Sequence, residues 1–245
     1  MAKQQRWAKI LELCEKNDAV YVQNLVDILH VSEATIRRDL QQMEDLSLVS
    51  RFHGGVRTNN KGNNEPPMLY KAETNYEQKK MIARLAARQI KDNQMIFIDA
   101  GSSTLEMLKY ITAKNITVVT IGIPHIQKLI ERKIRTISLG GTVRFTTEAI
   151  TGNQTLQQLS ELYFDITFLG VNGIHVKGGL TTTNEQEAAV KSKVIEHSQK
   201  TFILADHSKF NRLYPVKFGN LDDVTVICYS IENFDSSLIK HICVK

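Results

Sequence analysis

From about residue 73 onward, short runs of β-branched and apolar residues alternate with stretches whose apolar residues recur at helical spacing. This alternation constrains the fold more than any other feature of the chain. The β-rich runs cover 95–100, 116–120, 136–139, 166–169, 201–205 and 224–228, and helical patterns fill most gaps, notably 73–91, 103–113 and 184–198. Strands separated by a helix cannot pair as hairpins. They cross over and lie parallel, so the expected architecture is a largely parallel sheet covered by helices. No internal repeat is visible.

Residues 1–57 follow a different rule. Trp7, Ile10, Leu11 and Cys14 fall at i, i+3, i+4 and i+7 and predict a helix over 3–16. Val22, Leu25, Val26 and Leu29 repeat the spacing, and His30-Val31 breaks it. Ser32 suits an N-cap for a third helix over 32–46, with Glu33 favourably placed in its first turn. Ile36, Leu40 and Met43 form its buried stripe. Ala34, Arg38 and Gln41 point the opposite way, flanked by Thr35 and Arg37. A strand at 48–51 and the turn His53-Gly54-Gly55 follow, so the segment reads as a winged helix-turn-helix. The breaker-rich stretch TNNKGNNEPPM at 58–68 is the best linker candidate. The expected organisation is a winged helix-turn-helix over 1–57, a linker over 58–72 and an α/β domain over 73–245.

Charge narrows the function classes. The net charge is +5, but residues 1–57 hold eight basic and eight acidic side chains, and the excess sits in 58–91 with seven against three. Nucleic-acid binding must therefore rest on local clusters. The apolar runs are far too short to span a bilayer, and the N-terminus has no apolar signal-like core. Three cysteines without CxxC spacing exclude a disulfide framework and a zinc ribbon, which fits a cytoplasmic protein. Seven histidines without HExxH or paired ligand spacing predict no metal site. No cofactor motif or catalytic nucleophile arrangement is present.

Three groups of residues carry chemistry. Ser32, Thr35, Arg37 and Arg38 supply the small polar groups and cations that a major-groove helix needs, and Arg51, His53 and Arg57 flank the Gly-Gly turn as a phosphate-contacting wing would. The alternative is a solvated helix face. Asp99-Ala100-Gly101-Ser102-Ser103-Thr104 lies where a strand ends and a helix begins, so its backbone N–H groups and hydroxyls could cradle an anion. The alternative is an ordinary capped turn, and a Walker A loop is excluded because no Gly-Lys-Ser/Thr follows. The third group is spread over later strand ends: Gly170-Val171-Asn172-Gly173, Lys177–Thr182, Glu187 with Lys191, and Asp206-His207-Ser208-Lys209-Phe210. Amides and carboxylates there suit sugar hydroxyls, and lysines suit phosphate. A surface i,i+4 pair is the alternative for Glu187 and Lys191.

Together these residues resemble the DeoR family of bacterial transcriptional regulators over nearly the whole chain. The reader match is Arg6, Ile10, Val31-Ser32, Thr35-Ile36-Arg37-Arg38-Asp39-Leu40 and Arg51-Phe52-His53-Gly54-Gly55. The sensor match is Asp99 to Thr104, Leu139-Gly140-Gly141, Gly170 to Gly173, Glu187-Ala188, Val190-Lys191, Leu204-Ala205-Asp206 and Ser208-Lys209-Phe210. The stretches Thr147 to Ile150 and Thr167 to Ile174 look closest to the fructose and lactose operon branches of Gram-positive bacteria. The resemblance implies a repressor that binds operator DNA as a homo-oligomer, dimer or tetramer. Its C-terminal domain would have a ribose-5-phosphate isomerase-like α/β fold and bind a phosphorylated sugar through Asp99, Gly101, Ser102, Ser103, Thr104, Asn172, Glu187, Lys191 and Lys209. Three positions depart from the family pattern. Cys14 replaces an aliphatic residue, Ser47 a glycine, and Ile121 an asparagine that would have added a polar group to the pocket. Two other readings compete: a sugar-phosphate isomerase using Glu187 with Asp99 or Asp206, and a DNA-binding protein whose second domain only oligomerises. Fold analogy alone does not license the former.

Overall fold

The computed structural model describes residues 3–17, 19–45, 48–58, 68–231 and 234–244. Ser47 and most of the expected linker, residues 59–67, lie outside them. The chain divides into two compact units, Met1–Thr74 and Asn75–Lys245.

In the first unit, α1 (Lys3–Lys16), α2 (Val22–Leu29) and α3 (Glu33–Asp45) pack around Trp7, Ile10, Cys14, Leu25, Leu29, Ile36, Leu40 and Met43. The Cys14 thiol occupies an aliphatic-sized place in this core. His30 ends α2 in the left-handed region, at φ 51, with its N–H on the Val26 carbonyl. Ser32 caps α3: its carbonyl accepts from Thr35 and Ile36 N–H, and its Oγ lies 3.3 Å from Thr35 N. A short β1 (Val20–Tyr21) joins β2 (Val49–Phe52) and β3 (Gly55–Thr58) in a three-stranded sheet of order β1-β3-β2. The β2–β3 hairpin turns on His53-Gly54, where Gly54 has φ +82. A further helix, α4 (Met68–Glu73), starts within the stretch read from sequence as linker and ends one residue beyond it.

The second unit is built on seven parallel strands. They are β4 (Met95–Ile98), β5 (Thr117–Thr120), β6 (Arg135–Ser138), β9 (Ile166–Gly170), β12 (Thr201–Ala205), β14 (Thr225–Cys228) and β15 (Lys240–Cys243), in the order β15-β14-β12-β9-β4-β5-β6. Alternate residues enter two cores, because strand side chains point to opposite faces. Ile96, Ile98, Val118, Phe168, Phe202, Leu204 and Ile227 pack with Ile82, Ala83 and Ala86 of α5 (Tyr76–Ala87) and with Met107 of α6 (Ser102–Met107). Phe97, Val119, Leu169, Ile203, Ala205 and Val226 pack on the other face with Leu159 of α8 (Asn153–Leu159) and Val190 and Val194 of α9 (Glu185–Glu196). Both faces are covered, as a parallel sheet requires.

Several elements differ from the sequence reading. The helix expected over 73–91 is interrupted at Asn75, which sits at φ 54. That expected over 103–113 tightens after Met107 into one 3₁₀ turn, Leu108–Tyr110. Unforeseen are α7 (Ile123–Glu131), the hairpin of β7 (Thr142–Arg144) and β8 (Ala149–Thr151), and the small sheet of β10 (Gly173–His175), β11 (Gly179–Thr182) and β13 (Val216–Gly219).

Strand order positions the site. From β4 the chain steps outward to β5 and β6, then returns to β9 on the other side of β4. The β4/β9 boundary is therefore a topological switch point, where the loops leaving two neighbouring strands diverge, the place at which open α/β sheets generally form a ligand crevice.

Candidate functional site

On the first unit, α3 buries Ile36, Asp39, Leu40 and Met43 and exposes Ser32, Ala34, Arg37, Arg38 and Gln41. Asp39 is held from beneath by Arg6, with Nε–Oδ2 at 2.7 Å and Nη2–Oδ1 at 3.1 Å, a bidentate pair that ties α1 to α3. Arg37 folds back on Glu33 at 2.6 Å, whereas Arg38 is exposed and has no partner among the described residues. Arg51 does not project from the wing. Its guanidinium bonds Gln41 and lies 3.7 Å from Glu44, and its N–H donates to Glu44, so it joins the wing to α3. His53 and Arg57 are exposed on the hairpin.

On the second unit, the carboxyl ends of β12, β9, β4 and β5 lie side by side. Asp99, at the end of β4, is buried. Its Oδ2 accepts from the Gly170 N–H at 3.0 Å and from the Lys191 ammonium, which also donates to the Gly170 carbonyl at 2.9 Å. Asp99 and Lys191 thus cross the switch point as a buried ion pair. Gly101 and Gly170 face each other there: a Cβ on Gly101 would lie 3.7 Å from the Gly170 Cα. The Ser102 and Ser103 hydroxyls make no hydrogen bond among the described residues, and Thr104 is committed inward, donating to the Asp99 carbonyl at 2.6 Å. Glu187 accepts from Thr147 Oγ1 at 2.7 Å and lies 3.3 Å from Arg144 Nε, both on the β7–β8 hairpin. Glu187 and Lys191 are therefore not a surface pair, since each has turned to a different buried partner. Asn172 Oδ1 accepts from Thr182 Oγ1 at 2.8 Å.

Asp206, at the end of β12, is nearly buried and receives Asn75 Nδ2 at 3.2 Å and Ser208 N–H at 2.9 Å. Burial opposes its ionisation, but Lys209, the Ser208 hydroxyl and amide, and Lys79 outweigh this and hold its carboxyl below the usual range. Lys209 therefore belongs to the setting of Asp206, at the start of α5. Among the described residues no group of three His, Cys, Asp or Glu could hold a metal ion, and no helix is long and apolar enough to cross a membrane.

Residues 6–62 match the DeoR-like helix-turn-helix domain, and residues 74–230 match the DeoR C terminal sensor domain. The chain belongs to the DeoR family. This DeoR-family protein is a helix-turn-helix transcriptional regulator and not an enzyme. It is 37% identical to the HTH-type transcriptional regulator FruR of Bacillus subtilis (strain 168), covering 95% of this chain and 93% of that one. It is 33% identical to the glycerol-3-phosphate regulon repressor of Escherichia coli (strain K12), over 93% and 90%. It is 32% identical to the lactose phosphotransferase system repressor of Staphylococcus epidermidis (strain ATCC 12228 / FDA PCI 1200), over 86% of each chain. Among solved structures, ribose 5-phosphate isomerase A of Methanocaldococcus jannaschii aligns over 57% of each chain at 15% identity and a TM-score of 0.43.

Four site residues of the DeoR-family chain escaped the sequence reading. Arg144 and Thr147 reach Glu187 only because β7 and β8 pair. Thr120 donates to the Ile98 carbonyl at 2.6 Å, and the fully buried His125 reaches Thr104 at 3.1 Å. The hint for the hairpin was Leu139-Gly140-Gly141, since Gly141 takes φ +150 against Thr155 and the Thr151 carbonyl.

Proposed function

We propose that the protein represses a sugar-catabolism operon in the cytoplasm and that a phosphorylated sugar, bound at the β4/β9 switch point, sets its affinity for operator DNA. The buried Asp99–Lys191 pair carries this reading. Burying two charges costs stability that an apolar pair would not, and such a pair at the mouth of a crevice is better explained by ligand recognition. The phosphate docks on the N–H groups and hydroxyls of Ser102 and Ser103, while Thr104 and the Gly101 N–H, which bonds the Thr104 hydroxyl and the Asp99 carbonyl, hold the turn. Lys209, and the ammonium hydrogen that Lys191 has left, add positive charge. Asp99, Asn172 and Glu187 take the sugar hydroxyls. Relatives named for a glycerol-3-phosphate regulon and a lactose phosphotransferase system fit an effector of this chemistry.

In the reader, α3 enters the major groove, with Ser32, Thr35, Arg37 and Arg38 toward the DNA and His53 and Arg57 on phosphates, while Arg51 braces the wing. A homo-oligomer, dimer or tetramer, presents two such helices to a symmetric operator. The sensor's first helix, α5, follows the reader in sequence and packs under β12. A ligand ordering the strand ends thereby shifts how α5 docks, and effector releases the operator. Coupling of this kind is reciprocal, and a typical value of ~1–3 kcal/mol changes operator affinity about 5- to 150-fold. The test titrates a panel of sugars and their phosphates calorimetrically, with and without operator. Equal affinity for a sugar and its phosphate would sink the anion site, because charge-assisted hydrogen bonds are the strong ones. Effector affinity unaltered by saturating operator would sink the coupling.

A further inference from the structure

His125 is the third residue of α7 and has no exposed surface, yet its imidazole reaches the turn that leaves β4. The link is the Thr104 hydroxyl. Thr104 Oγ1 lies 2.6 Å from the Asp99 carbonyl, 2.8 Å from the Gly101 carbonyl, 3.0 Å from the Gly101 N–H and 3.1 Å from His125 Nε2. A hydroxyl has one proton, and carbonyls only accept, so that proton goes to a carbonyl. The Gly101 N–H fills one lone pair. The remaining lone pair faces Nε2, which must therefore be the donor. That assigns the tautomer: Nε2 is protonated and Nδ1 is bare. Nδ1 has no hydrogen-bond partner among the described residues. It lies against Gly122, where a Cβ would fall 2.3 Å from it, so residue 122 yields its side-chain space to the imidazole.

We propose that His125 is the positioning residue of the Asp99–Thr104 turn. Its Nε2–H sets the Thr104 rotamer, and Thr104 sets the plane of the Gly101 peptide and hence the aim of the N–H groups that follow. The anion affinity of the crevice then depends on a side chain that never touches the anion. This rests on reading 101–104 as the phosphate loop. Burial holds the ring neutral, with its pKa lowered to about 4, so the imidazole carries a single N–H.

If His125 merely fills space under α7, only ring volume matters. His125→Phe keeps the ring and removes the N–H, and His125→Gln restores a donor without the ring. The full-length protein is titrated with inorganic phosphate, following amide shifts of residues 101–104, and urea midpoints are measured in parallel. His125→Phe is expected to weaken phosphate binding roughly fivefold or more, the effect of losing one hydrogen bond. His125→Gln recovers part of it, and adding His125→Phe to Thr104→Val changes nothing further, because both act through one bond. Nitrogen NMR should show a protonated Nε2 and a bare Nδ1. A protonated Nδ1 overturns the proposal, as do unchanged phosphate affinity in His125→Phe or additive effects with Thr104→Val. If the parent binds no phosphate, the phosphate-loop reading falls. The tautomer and the Gly101 amide shift in His125→Phe then still decide the positioning role: a bare Nδ1 with a displaced Gly101 amide upholds it, and any other result overturns it.

Discussion

The Arg6–Asp39 pair offers a quantitative test of what holds the DNA-reading unit together. Both side chains are well buried, Asp39 at 4% and Arg6 at 12% exposure, and the pair is bidentate. Asp39→Ala would leave the guanidinium under α3 without its counter-charge. Removing one partner of a buried pair costs about 3–5 kcal/mol. At roughly 0.05–0.15 kcal/mol per residue, a unit of about 74 residues has only about 4–11 kcal/mol in total. The variant should therefore have a reader that is marginal or unfolded at 25 °C. Replacing both residues, as in Arg6→Leu with Asp39→Leu, should recover most of the loss, since an apolar pair of similar volume is often as stable as a buried ion pair. The assay is built into the chain: Trp7 is the only tryptophan and sits in the reader core, so its fluorescence in urea reports that unit alone. With a slope of about 1–3 kcal/mol/M, the single variant should shift the midpoint by about 1 M or more. An Asp39→Ala midpoint within a few tenths molar of the parent would refute the reasoning. So would a double variant no better than the single.

Other expectations follow from the same structure. Arg38→Ala should lower operator affinity, costing ~1–3 kcal/mol and relaxing one position if it reads a base, or reducing the salt slope by about one unit if it holds a phosphate. Glu33→Gln should tighten DNA binding, because it frees Arg37 and removes a negative charge from the recognition face; filter binding across a salt series checks both. The lowered pKa of His125, from an ordinary 6.5 to about 4, means the unfolded chain takes up a proton first as pH falls. Sensor stability should therefore drop as pH goes from about 7 to about 4, by roughly 3 kcal/mol, and level off below. In His125→Phe that component should vanish from urea melts followed by circular dichroism. Lys191→Met should destabilise the sensor by about 3–5 kcal/mol through the stranded Asp99, and adding Asp99→Asn should recover part of this.

Much of the fold was legible because its signals are local. The stripe Ile36, Leu40, Met43 and the alternation Ile96, Phe97, Ile98 follow from helix and strand period, which a short window reveals. The elements missed carry weak local signals. Pro124 looks like a breaker, but at the second position of α7 its missing N–H costs nothing. Strands β7, β8, β10 and β11 are three or four residues long, and their register comes from pairing with one another. The linker reading of 58–72 overlooked α4, a helix too short to show a period.

Sequence by itself determined the two-part organisation, the α3 face with its Ser32 cap, and the Asp99–Thr104 turn at a strand end. Each depends on residues within a few positions of one another, where backbone geometry dictates who faces whom. Only the tertiary structure decided the partnerships. Glu187 and Lys191 are one helical turn apart and could have paired. Instead, packing α9 over the crevice draws Lys191 to Asp99, 92 positions away, and Glu187 to Thr147 and Arg144. Burial is the reason, because a charge removed from water must find a partner wherever the fold brings one, and that choice is not written in local spacing.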